Sequence, residues 1–191
     1  MIILVGESGS GKTTIVEDLL WRIPNSHKIV SYTTRPPRSG EEDGVDYHFV
    51  TEDKFAEMKS AGLFAETGSY RGWHYGSLLT DYDETAIAVL TPYGLRQIKN
   101  KRNDVFSVYL KVSRRERLIR LLNRGDDIEE AYRRSVSDLG QFDGIQDEVS
   151  CVVIGAGATE RVVDRLIQQY EKYLSEGRSY ESKPTRLFNL Q

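Results

Sequence analysis

Short apolar, β-branched runs recur along this chain at residues 2–5, 28–31, 86–90, 105–112 and 151–154. Runs of that length without polar alternation suit strands buried on both faces, as in a parallel sheet. Between them the period changes. Ile15, Val16, Leu19, Leu20 and Ile23 fall at helical spacing after the first run, and Val162, Val163, Leu166, Ile167 and Tyr170 form one stripe after the last. Ser113-Arg114-Arg115-Glu116 has the form of a capping box. It predicts a helix with Leu118, Leu121 and Leu122 facing inward and Gly125 placed to end it. Thr159 is placed to cap the last helix. Strands alternating with helices predict an α/β fold: a mainly parallel five-stranded sheet flanked by helices.

Two stretches interrupt the alternation. Residues 33–79 are rich in Gly, Tyr, Arg and acidic residues and carry short alternating pieces such as Tyr47-His48-Phe49-Val50. They read as an inserted mixed α+β lobe above the sheet. Residues 123–142 form a charged helical segment with few apolar positions, which suits a mobile helical lid. The expected organisation is one domain over 1–174, with its core at 1–32 and 80–174, followed by an aperiodic, flexible tail over 175–191.

The first apolar run ends at Gly6-Glu7-Ser8-Gly9-Ser10-Gly11-Lys12-Thr13. This is the phosphate-binding loop pattern G-x-x-x-x-G-K-[ST], and it lies between a buried strand and a helix, where such a loop must lie. Backbone N–H groups curled into one concavity hold a polyanionic tail, and glycines permit that curl. The helix N-terminus, extending through Thr14, adds its positive end. Lys12 supplies a point charge for the β- and γ-phosphates, and the Thr13 hydroxyl a ligand for Mg²⁺. The chain is expected to bind a nucleoside triphosphate on a P-loop NTPase core.

Charge and composition narrow the partners. The 191 residues carry a net charge of −3 and no Lys/Arg block, which argues against a nucleic-acid polymer. The longest apolar runs are strand-length, which argues against a membrane span, and the opening residues lack a signal-peptide pattern. The lone cysteine, Cys151, reads as a strand core residue, so a cytoplasmic location is expected. His27, His48 and His74 show no metal-ligand spacing.

The inserted lobe carries Thr33-Thr34-Arg35-Pro36-Pro37-Arg38-Ser39-Gly40-Glu41, then Gly44-Val45-Asp46-Tyr47-His48-Phe49, then Glu66, and then Tyr75-Gly76-Ser77. At these residues the chain resembles the guanylate kinases, which carry T-T-R-x-P-R-x-G-E, G-x-D-Y-x-F, a glutamate after a short helix, and Y-G-S. The resemblance implies a GMP or dGMP pocket beside the ATP loop. Arg35 and Arg38 offer planar forks for a phosphate, and Tyr47 and Tyr75 add phenolic hydroxyls. Glu66 suits the paired N1–H and N2–H donors of guanine, whereas adenine presents an acceptor at N1. By resemblance, Ser31 and Ser77 complete the base contacts, and Arg120, Arg124 and Arg134 are lid arginines that reach the transferring phosphates. Arg117 and Arg133 read as surface charges.

The pattern departs from the family twice. Where guanylate kinases carry L-D-x-D before a glutamine and glycine, this chain has Thr91-Pro92-Tyr93-Gly94, about two residues shorter and without either acid. The resemblance gives those acids water ligands of the Mg²⁺ shell and contacts to the acceptor site; the Thr91 hydroxyl is the nearest replacement. Where an Asn-Asp pair lies near the adenine, Gly155-Ala156-Gly157 stands here. The expected activity is transfer of the γ-phosphoryl group of Mg·ATP to GMP or dGMP by a monomer or homodimer. The alternatives are another nucleoside monophosphate as acceptor, or a phosphopeptide-binding module without catalysis.

Overall fold

The computed structural model describes residues 1–38, 40–155, 159–177 and 184–188. Along the chain run β1 (Ile2–Val5), α1 (Lys12–Arg22), β2 (His27–Lys28), β3 (Tyr32–Thr33), β4 (His48–Phe49), α2 (Glu52–Ser60), β5 (Phe64–Tyr70) and β6 (Trp73–Leu78). Then come β7 (Ala86–Val89), α3 (Pro92–Lys99), β8 (Phe106–Lys111), α4 (Arg114–Asn123), α5 (Ile128–Ser137), β9 (Cys151–Ile154), α6 (Thr159–Ser175) and β10 (Thr185–Phe188).

The main sheet is parallel throughout, in the order β10-β9-β8-β1-β7-β2. Its unbroken apolar runs follow from burial on both faces. Ile3 and Val5 join one core with Ala88, Leu90, Leu95 and Ile98, while Ile2 and Leu4 join another with Ile15, Val16 and Leu19 of α1 and Val163 and Leu166 of α6. Cys151 is buried in β9, as its apolar neighbours predict. The second strand is shorter and earlier than the run at 28–31. Ile29 still donates to Ile87 O at 2.9 Å, and the chain then leaves for the lobe.

The sheet also holds a sixth strand within the segment read as an aperiodic tail. β10 pairs with β9 in register Thr185↔Cys151 to Phe188↔Ile154, and Leu187 packs on the core. A four-residue edge strand held mainly by its backbone ladder leaves little periodic signal.

The lobe has its own sheet, ordered β4-β3-β6-β5, with β3 and β4 parallel and the β6 pairings antiparallel. Phe55 and Met58 of α2 pack on it with Phe64. The β5–β6 hairpin turns on Arg71 and Gly72, both at positive φ (56° and 83°), as a two-residue turn of matching twist requires. A bulge between Phe64 and Glu66 makes three successive residues of β5 buried and turns Glu66 into the lobe rather than out of it. The Gln97 side chain of α3 bonds both N–H and C=O of Thr67, tying the lobe to the core.

The capping box forms as read: the Ser113 side chain accepts from the Glu116 N–H, and Glu116 returns to the Ser113 N–H. The inward face of α4 differs from the reading. Leu121 is buried, but Leu122 is 43 % exposed and the buried partner is Arg117, at 6 %. That face meets the polar phosphate loop rather than an apolar layer, and a polar neighbour selects a charge.

Candidate active site

The loop after β1 is shaped by Gly9 and Gly11, at φ 78° and 95°, which leads directly into α1. A Cβ on Gly9 would lie 2.6 Å from Arg117 O and one on Gly6 2.7 Å from Ser10 Oγ, so the curl leaves no room for side chains. Lys12 folds back over the loop, its Nζ donating to Gly6 O (2.6 Å) and Glu7 O (3.0 Å). Burial lowers its pKa to about 8, against the opposing pull of Asp138 and Glu7. Thr13 and Thr14 are exposed at the start of α1.

Two residues at this loop have roles the sequence did not reveal. Arg117, read as a surface charge, is buried. It donates to Ser8 O and lies 3.7 Å from both Glu7 and Asp138. Asp138, the residue that ends α5, accepts the Ser8 N–H at 2.8 Å. A carboxylate therefore occupies one of the donors a phosphate would use. The only sequence signal for Arg117 was its helical phase with Leu121; Asp138 had none, being 130 residues from Ser8.

In the lobe, Arg35 is buried and its Nη2 pairs with both oxygens of Glu41 at 2.9 Å. Burial works against the Arg35 charge, but Glu41 outweighs it and holds the pKa above the ordinary value. Arg35 lies over the Tyr47 ring, and Tyr47 meets Tyr75 edge-to-face at 6.0 Å. Arg38 is half-exposed between Glu41 and Glu130. Burial and then repulsion from Arg134 and Arg35 pull its pKa below the ordinary value, so three guanidinium groups converge where an anion would relieve them. Arg35, Arg38, Tyr47 and Tyr75 thus form one cluster.

Glu66, on the neighbouring strand β5, is 7 % exposed. Its Oε1 accepts from Ser77 Oγ at 2.7 Å, and Ser77 meets Ser31 Oγ at 3.2 Å. Burial raises the Glu66 pKa, while Ser77 pulls it back. Gly94 of α3 packs directly against this carboxylate, since a Cβ there would come within 2.9 Å of Glu66 Oε2.

The three helix arginines divide. Arg120 Nη1 donates to Ser10 O at 3.1 Å and so reaches the phosphate loop. Arg134 is held by Asp126 (3.2 Å) and Glu130 (3.1 Å) and adjoins Arg38. Arg124 is 61 % exposed and forks onto Asp126, away from the loop in this structure. Arg133 is a surface charge, as read. The Thr91 hydroxyl, expected as a replacement for the missing acids, accepts the Gly94 N–H and caps α3. Gly155 ends β9 at φ 92°, but Ala156 and Gly157 lie outside the described residues. Among the described residues no group of three His, Cys, Asp or Glu is arranged to hold a metal, and no helix is long and apolar enough to cross a membrane.

A family model described as guanylate kinase matches residues 1–156. The guanylate kinase of Prochlorococcus marinus (strain MIT 9312) is 34 % identical over 157 residues, spanning 75 % of this chain and 85 % of that protein. The guanylate kinase of Histophilus somni (strain 129Pt) is 32 % identical, spanning 90 % of this chain and 91 % of its own. The crystal structure of guanylate kinase from Anaplasma phagocytophilum aligns with a TM-score of 0.65 at 25 % identity, over 93 % of this chain and 88 % of that one. The match in sequence extends over the phosphate loop, the lobe and the helical segment together, and the chain belongs to the guanylate kinase family.

Proposed function

We propose that this chain transfers the γ-phosphoryl group of Mg·ATP to GMP or dGMP, giving ADP and GDP or dGDP. The observation that carries the reading is a buried carboxylate, Glu66, bonded to Ser77 two residues along β6 from Tyr75 of the Arg35–Arg38–Tyr47–Tyr75 cluster, in a chain with an intact phosphate loop. A carboxylate, with two acceptor oxygens side by side, matches the adjacent N1–H and N2–H of guanine. Adenine would set its N1 lone pair against it, and discrimination of that kind reaches on the order of 10⁴-fold.

The ATP phosphates lie on the loop of Gly6, Glu7, Ser8, Gly9, Ser10, Gly11, Lys12, Thr13 and Thr14, held by its free N–H groups, with the Lys12 ammonium turning from carbonyls to phosphate oxygens. Mg²⁺ enters as part of the substrate, with Thr13 as its side-chain ligand. The acceptor phosphate sits between Arg35, Arg38, Tyr47 and Tyr75. The segment at 123–142 acts as a lid over both nucleotides, bringing Arg124 and Arg134 to the transferring group beside Arg120. No protein nucleophile is needed. Acceleration comes from in-line positioning and from cations facing the charge that spreads over the equatorial oxygens. The chain works in the cytoplasm on small nucleotides.

The test is ADP release from Mg·ATP with GMP, dGMP, AMP, UMP, CMP and dTMP as acceptors. Turnover with the two guanine nucleotides, lost in Lys12→Ala and spread to other bases or lost in Glu66→Gln, is the expected result. Phosphopeptide binding with no turnover on any nucleotide would overturn the reading.

A further inference from the structure

One hydroxyl beside the base pocket has no use in the free chain. Tyr82 is 4 % exposed, yet its phenolic oxygen has no hydrogen-bond partner among the described residues. Buried polar side chains are paired in the large majority of cases, so an orphan points to a partner that arrives later. Its setting is fixed. The Tyr82 carbonyl accepts from Arg102 Nη1 at 2.7 Å, and Arg102 is itself forked onto Asp104. The ring shares its core with Ala65, Leu90 and Leu95, sequence neighbours of Glu66, Thr91 and Gly94. The hydroxyl lies beside Ser77, whose pull lowers its pKa, and faces the Glu66 charge; burial and then that charge outweigh Ser77 and push the pKa up, so it remains a donor.

Ser77 has one proton to give, and in the free chain it goes to Glu66 Oε1. A guanine that presents N1–H and N2–H to both Glu66 oxygens competes for that oxygen, while its keto oxygen needs a donor of its own. We infer that Tyr82 is a positioning residue for the acceptor base: as a 6-oxopurine engages Glu66, the Ser77 O–H turns to the keto oxygen, and the Tyr82 O–H donates to the Ser77 oxygen beside it. This deepens the acceptor reading above and rests on it. The orphan hydroxyl of the free chain is then the group that holds the rotated serine.

Tyr82→Phe, assayed with GMP and with 6-thio-GMP, tests this, since sulfur at the same position is a weaker acceptor. The variant raises KM for GMP about tenfold with a much smaller change in kcat, and narrows the preference for GMP over the thio analogue. The melting temperature moves by no more than about 2 °C, because the hydroxyl makes no hydrogen bond of full geometry in the free chain. In a Ser77→Ala background the substitution adds nothing further, because it acts through Ser77. An unchanged KM for GMP, purely additive effects of the two substitutions, or a large fall in melting temperature overturns the inference, while guanine-nucleotide turnover by the wild type leaves the acceptor reading standing. A wild-type chain that phosphorylates no guanine nucleotide overturns both.

Discussion

Lys12 illustrates how the fold prepares a charge for its ligand. Its ammonium is enclosed by loop carbonyls, and burial lowers its pKa from 10.5 to about 8. Between those values the unfolded chain holds the proton more often than the folded one, so this group's contribution to stability rises with pH from about 8 to 10.5. A bound triphosphate reverses the balance, because negative oxygens favour the charged form. Binding of ADP or ATP at pH 8.5 therefore takes up a substantial fraction of a proton. Calorimetric titration in buffers of different ionisation enthalpy reads it directly, and a heat that is the same in every buffer would contradict it.

Helix α5 is clipped at both ends. Near its start Glu130 accepts from Arg71 of the β5–β6 hairpin at 2.8 Å, and just past its end Asp138 accepts from the phosphate loop. The second clip places an anion against the Ser8 N–H and 3.7 Å from Arg117. A triphosphate needing that donor must displace it, so nucleotide binding and the position of α5 are coupled. Asp138→Asn weakens the competitor and is expected to tighten ATP binding roughly tenfold, as loss of one charge-assisted hydrogen bond allows. Affinity that stays the same or falls, measured by titration calorimetry, would mean that Asp138 and the phosphates do not compete.

At the scale of the whole molecule, the edge of the parallel main sheet depends on residues 185–188. β10 adds a backbone ladder and the Leu187 side chain to β9. A chain ending at Gly177 loses both and leaves the β9 edge open for pairing with other chains. Burial of one leucine is worth about 2 kcal/mol, so the melting temperature should fall by roughly 4–8 °C, with concentration-dependent association visible by light scattering. An unaltered melting curve in the truncated chain would show that the strand contributes nothing.

Much of this was legible beforehand because local rules were sufficient for it. The buried runs other than the one at 28–31, the helix stripes of α1 and α6, the Ser113 capping box and the phosphate loop each depend on residues within one turn or one strand, and the structure places them as read. The lobe motif likewise carried Arg35, Arg38, Tyr47, Glu66, Tyr75 and Ser77 as residue types, though not their geometry. The misses share one cause. The bulge that turns Glu66 inward needs the β6 partner, Arg117 needs the loop it packs on, β10 needs β9, and Asp138 needs a donor 130 positions away. Periodicity and motif report which way a side chain points from its own element. Which charge ends up facing which, and so which anion a phosphate must replace, is set only when distant elements pack and each buried polar group has to find a partner.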